Sequence, residues 1–70
     1  MKVIANGKEQ TIKTSAKQIS LTNVVNDLGH NPRLVVVELN GTIVSPNEWE
    51  QCLIKENDSL EIVTIVGGGS

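Results

Sequence analysis

Two side chains carry nucleophilic or general-base chemistry as single copies, His30 and Cys52. They fall on different predicted elements, so a Cys/His dyad requires the fold to bring them together. A free cysteine with no nearby base behaves as a small apolar residue. A metal site calls for three or four clustered ligands, and no such spacing occurs, so no metal is expected. Glu48, Glu50 and Glu56 lie close in sequence but read as a solvated acidic surface. Gly67-Gly68-Gly69 is not a phosphate loop, because neither a lysine nor a helix follows it. Two readings of that run remain open on composition. Gly-Gly-Gly-Ser matches a flexible linker. Equally, a glycine carboxylate has no side chain to obstruct it, and three extended residues reach about 10 Å, enough to thread a narrow channel. Trp49, the one aromatic, is an interface anchor or a core residue; its position four residues after Ser45 favours the core.

The elements that must position these residues follow from period and punctuation. Sixteen valines and isoleucines against six leucines argue for strands. Lys2–Ala5 and Lys8–Lys13 flank Asn6-Gly7, a type I′ hairpin signal, with Val3, Ala5 and Ile12 facing inward. Thr14–Gln18 reads as a loop. Leu21, Val24, Val25 and Leu28 form one helical stripe. Ser20 is the expected N-cap, Ile19 a staple onto Val24, and Gly29 the left-handed residue past the end. Leu34–Leu39 and Thr42–Val44 flank a second Asn-Gly, Asn40-Gly41. Ser45-Pro46-Asn47-Glu48 matches a capping box opening a short helix or 3₁₀ turn over residues 46–51. Glu56–Ser59 is a turn, and Leu60–Val66 the last strand. The order β-β-α-β-β-(short helix)-β predicts an α+β fold with a mixed sheet covered on one face by the helix. Residues 1–66 form the folded body and 67–70 a flexible glycine-rich tail.

Size and charge narrow the function. Seventy residues make one domain at most, and a core of this size supplies about 3–5 kcal/mol, leaving little room for a deep catalytic pocket. A net charge of −2 disfavours a nucleic-acid footprint. The longest apolar run, Leu34–Val37, is far short of a membrane span. Met1–Gln10 has no signal-peptide core, and a single cysteine fits a reducing compartment. The expectation is a cytoplasmic protein that larger partners handle, not itself an enzyme, with no nucleic acid and no membrane among its partners.

The stretch Val35-Val36-Val37-Glu38-Leu39-Asn40-Gly41-Thr42-Ile43-Val44 resembles a segment of the ThiS family of thiamine-biosynthesis sulfur carriers. Asn6-Gly7, Trp49, Glu56-Asn57-Asp58 and Leu60 through Gly69 extend the resemblance over essentially the whole chain. It implies a ubiquitin-like β-grasp, a mixed sheet of about five strands on one main helix. It also implies that Gly69 is adenylated by an E1-like enzyme with ATP and becomes a thiocarboxylate, with Gly67 and Gly68 as the threading arm. Sulfur would be relayed from a cysteine desulfurase and passed to thiazole synthase; ATP would bind the activating partner, leaving no cofactor on this chain. Ser70 departs from the family pattern, since Gly69 has a free carboxylate only without it. Asn57 stands where the family has a turn glycine, and Asn tolerates the left-handed conformation. The alternatives are a sister carrier, such as the small subunit of molybdopterin synthase, or a ubiquitin-like docking module that carries no sulfur.

Alternation on the last strand puts Leu60, Ile62 and Val66 on one face and Glu61, Val63 and Ile65 on the other. Glu61 and Glu38 mark the open face. If the two strands are neighbours, Val36, Val63 and Ile65 form an exposed apolar patch beside the tail, expected to dock the activating enzyme.

Overall fold

The computed structural model describes residues 1–65. Strands β1 (Lys2–Ala5) and β2 (Lys8–Thr11) form the expected hairpin, with Asn6 and Gly7 at φ of 53° and 81°. A type I′ turn demands those positive angles. Val3, Ala5 and Ile12 are buried, as the alternation predicts. The helix α1 spans Leu21–Asp27, and the Ser20 side chain accepts from the Asn23 amide at 3.2 Å. Its C-terminus closes on Gly29, at φ 86°. The Gly29 amide donates to the Asn26 carbonyl and the His30 amide to the Val25 carbonyl. These two bonds satisfy carbonyls that a helix end otherwise leaves unpaired.

Asn31 caps a 3₁₀ turn at Pro32–Leu34, accepting from the Arg33 amide at 3.0 Å. That turn takes Leu34 out of the strand expected to begin there. Strand β4 is therefore Val35–Leu39. A second positive-φ pair, Asn40 and Gly41 (50° and 91°), turns it into β5 (Thr42–Ile43).

Pro46–Gln51 forms a second 3₁₀ helix, but the capping box does not form. The Ser45 side chain makes no cap bond; the Ser45 carbonyl accepts from the Glu48 amide at 2.8 Å instead. A 3₁₀ turn uses this i→i+3 bond itself, so the amide a capping serine would bind is already taken.

Two three-residue strands were not anticipated. Gln18, the last residue of the predicted loop, and Ile19 and Ser20, expected only as staple and cap, form strand β3 (Gln18–Ser20), which pairs antiparallel with β6 (Leu53–Lys55), Ile19 opposite Ile54. Ile19 thus acts as a strand residue packed against the core rather than as a simple helix staple. Strand β7 (Ser59–Thr64) completes the chain of elements.

The main sheet runs β2-β1-β7-β4-β5, with β1 and β7 parallel and the other neighbours antiparallel. This is the expected α+β arrangement of a five-stranded mixed sheet with one main helix. One sheet face contributes Val3, Val35, Val37, Leu60 and Ile62 to the core, joined by Leu21, Val24 and Val25 of α1, Trp49 and Ile54. Leu28 lies at the helix C-cap and is only half-buried, so it is a margin of the core rather than its centre. Val66, the boundary expected after it and the tail 67–70 lie outside the described residues.

Candidate functional site

The helix covers one sheet face, and that leaves the other open. Strands β4 and β7 are adjacent and antiparallel, with Val36 opposite Val63. The Ile65 amide donates to the Leu34 carbonyl at 2.6 Å, extending the pairing one step past β7. Val36, Val63 and Ile65 are 38%, 61% and 52% exposed. Their exposure follows from alternation alone: Val35, Val37, Leu60 and Ile62 turn inward on the same strands. Leu34 and Ile43 enlarge the exposed apolar surface. Alongside runs an open groove of about 670 Å³ whose walls include Val36, Ile43, Pro46, Trp49 and Ile65, with Arg33 and Glu50 at its polar margin.

Two asparagine side chains hold β7, the strand that leads toward the C-terminus, in register. The Asn6 side chain accepts from the Ile62 amide at 2.7 Å and donates to the Ile62 carbonyl at 3.1 Å, so it mimics a strand residue beyond the end of β1. On the other side, Asn40 Oδ1 accepts from the Ser59 amide at 3.0 Å, and its Nδ2 donates to Asp58. Asp58 is buried and accepts from the Lys55 amide at 2.9 Å. Asn57 takes φ 70° in that turn, and its amide donates to the Lys2 carbonyl at 2.7 Å. The sequence marks Asn6 and Asn40 as turn residues; nothing in it marks their side chains as clamps on β7.

The isolated reactive side chains stay apart. Cys52 sits at the helix N-terminus, where its carbonyl accepts from the Leu21 amide, while His30 lies past the helix C-terminus. About 10 Å of helix separates those ends. Burial pushes the Cys52 thiol above its ordinary value, and the charges of Asp58 and Glu48 add to the shift. A reactive cysteine is shifted the opposite way. Among the described residues, no group of three His, Cys, Asp or Glu is placed to hold a metal ion, and no helix is long and apolar enough to cross a membrane. Trp49 is buried, and its Nε1 donates to the Val44 carbonyl at 2.9 Å, which makes it a core residue. Gly67, Gly68 and Gly69, the expected threading arm and reactive terminus, lie outside the described residues.

A family model described as the ThiS family matches residues 3–69. An uncharacterized protein ycf40 of Trieres chinensis is 41% identical over 64 residues, covering 91% of this chain and 84% of that one. A thiazole synthase of Paramagnetospirillum magneticum is 36% identical over 70 residues, covering 100% of this chain but 21% of the synthase. The chain thus spans about a fifth of that relative. The crystal structure of thiamine biosynthesis protein ThiS from Geobacter metallireducens superposes with a TM-score of 0.82 at 28% identity. That match covers 99% of this chain and 100% of the other.

Proposed function

The chain belongs to the ThiS family, and from that premise we propose that it is a sulfur carrier whose reactive group is the Gly69 carboxylate, freed by hydrolysis of the peptide bond to Ser70. A carboxylate is a poor electrophile. An E1-like enzyme converts it by letting a carboxylate oxygen attack the α-phosphorus of ATP, with pyrophosphate leaving. The acyl-adenylate then has a good leaving group. The terminal sulfur of a persulfide formed on a cysteine desulfurase or its relay displaces AMP, giving an acyl disulfide. A thiol such as free cysteine then attacks the distal sulfur of that disulfide, forming a mixed disulfide and releasing the thiocarboxylate, which is the sulfur donor.

This chain contributes reach and a grip rather than catalytic groups. Four residues from Val66 to Gly69 span at most about 14 Å, and glycines pass where a side chain is excluded. Val36, Val63 and Ile65 form the surface the activating enzyme holds while the arm enters its site.

The observation that carries the reading is the family match, which runs through the glycine residues to position 69. The thiazole synthase relative supports that enzyme as sulfur acceptor: a segment like this whole chain lies within a protein of that name.

The test is intact mass spectrometry after incubation with an E1-like adenylating enzyme, ATP, a cysteine desulfurase and cysteine, using the chain ending at Gly69. The expected product has one oxygen replaced by sulfur. An unchanged mass in the presence of an enzyme active on another carrier contradicts the carrier role and favours a docking module.

A further inference from the structure

The next same-face rung of the β4–β7 ladder after Val36 and Val63 pairs Glu38 directly with Glu61. Opposed residues on antiparallel strands hold their Cβ atoms about 4.5–5.5 Å apart, and like charges there are destabilising. On the far side Glu38 faces Ile43, which offers no counter-charge. Among the described residues the one ion pair joins Lys2 to Glu9, away from this rung. The free protein therefore holds two glutamates on one rung, with no cationic partner among the described residues, at the edge of an exposed apolar surface.

At the other end of that surface the charge is mixed. Arg33 and Glu50 both border the groove beside Val36 and Ile65. The surface is thus asymmetric along the strands, purely acidic at the Glu38–Glu61 rung and mixed near Ile65. Four residues at about 3.3 Å each put those ends about 13 Å apart.

We propose that the open sheet face docks a protein surface whose apolar side chains cover Val36, Val63 and Ile65 and whose arginine inserts its guanidinium between Glu38 and Glu61. This rests on the docking role proposed above for the apolar patch, and specifies the partner's chemistry. A guanidinium is planar, presents five donors, and bridges two neighbouring carboxylates bidentately. It is also weakly hydrated, which suits a site flanked by valine and isoleucine. The carboxylate pair fixes the orientation of the docked enzyme relative to the strand that leads to the tail, because only one end of the surface carries two glutamates on one rung. The repulsion is a cost to the free carrier that binding relieves.

Repulsion relieved on binding gives stability and binding opposite signs, which a structural role for the glutamates does not. The experiment uses the full chain as wild type, Glu38→Gln/Glu61→Gln, and Val36→Asp. Affinity for the E1-like enzyme is measured calorimetrically without ATP, at low and raised salt and with EDTA. Thermal melting of each free protein is measured alongside. The double Gln variant is expected to melt about 1–6 °C higher and to bind at least about tenfold more weakly, with a flatter salt dependence. If it binds as tightly as wild type while Val36→Asp weakens binding, the apolar docking reading stands and the guanidinium contact is overturned. A lower melting temperature for the double variant overturns the stored repulsion, and loss of wild-type binding in EDTA replaces the guanidinium with a metal ion. A wild-type chain that does not bind the enzyme overturns both readings.

Discussion

Asn6→Ala tests the clamp that holds the central strand. The Asn6 side chain supplies both bonds to the Ile62 backbone, accepting from its amide at 2.7 Å and donating to its carbonyl at 3.1 Å. Alanine leaves both groups without a protein partner. An orphaned buried donor or acceptor costs about 1–3 kcal/mol; these are part-buried, so the lower half of that range applies to each. Alanine must also hold φ near 53°, which adds about 1 kcal/mol of left-handed strain. The sum is about 3–5 kcal/mol, comparable with the whole stability that a core of this size provides. The expected result is a fall in melting temperature of about 12–40 °C, or a chain unfolded at room temperature. Two companions separate the causes. Asn6→Gly loses the two bonds without the strain and should fall between alanine and wild type. Asn6→Asp keeps the acceptor for the Ile62 amide and loses the donor. Urea unfolding gives the free energies, and hydrogen exchange at the Ile62 amide locates the loss. An alanine variant within about 0.5 kcal/mol of wild type refutes the clamp.

Other substitutions probe the helix, the docking face and the thiol. Leu21→Ala, at a fully buried position, should cost about 3–5 kcal/mol by urea unfolding, and Leu28→Ala, at the half-buried C-cap, clearly less; equal costs contradict the placement of the core. Val36→Asp and Ile65→Asp should keep a native circular dichroism spectrum and weaken binding to the E1-like enzyme, because both side chains are on the open face; unfolding of either makes it a core residue. Cys52 ionises above the ordinary thiol value in the folded chain, chiefly through burial. Above about pH 8.5 the unfolded chain therefore loses the thiol proton while the folded chain keeps it, and stability falls as pH rises. Cys52→Ala should flatten that alkaline slope in denaturation measured at several pH values, and an unaltered slope contradicts the assignment.

The features legible in the sequence share a local cause. Asn6-Gly7 and Asn40-Gly41 announce hairpins because both positions of a tight turn need positive φ. Ser20, the Leu21–Val24–Val25 stripe and Gly29 announce the helix through a cap, a period and a stop. The open face of β4 and β7 is legible because Glu38 and Glu61 break the apolar pattern on one parity only. What escaped depends on distant partners. Gln18–Ser20 and Leu53–Lys55 are three residues each, too short to show a period, and their pairing joins segments 35 residues apart, Ile19 to Ile54. The insertion of β7 between β1 and β4 turns two hairpin asparagines into clamps. Neither the pairing nor the clamps leave a local mark. Ser45–Glu48 shows the converse error: the letters of a capping box were present, but the 3₁₀ turn at Pro46 had already bonded the Glu48 amide.

The central claim is that Gly69 is the group activated. ATP–pyrophosphate exchange by an E1-like adenylating enzyme measures that step alone, before any sulfur is involved. The chain ending at Gly69 should support exchange. The same chain lacking Gly68 and Gly69 should not, while its circular dichroism and melting remain those of the folded body, since the glycines supply reach and chemistry rather than core. Exchange undiminished by the deletion contradicts the account, because the carboxylate would then be activated without the arm said to deliver it.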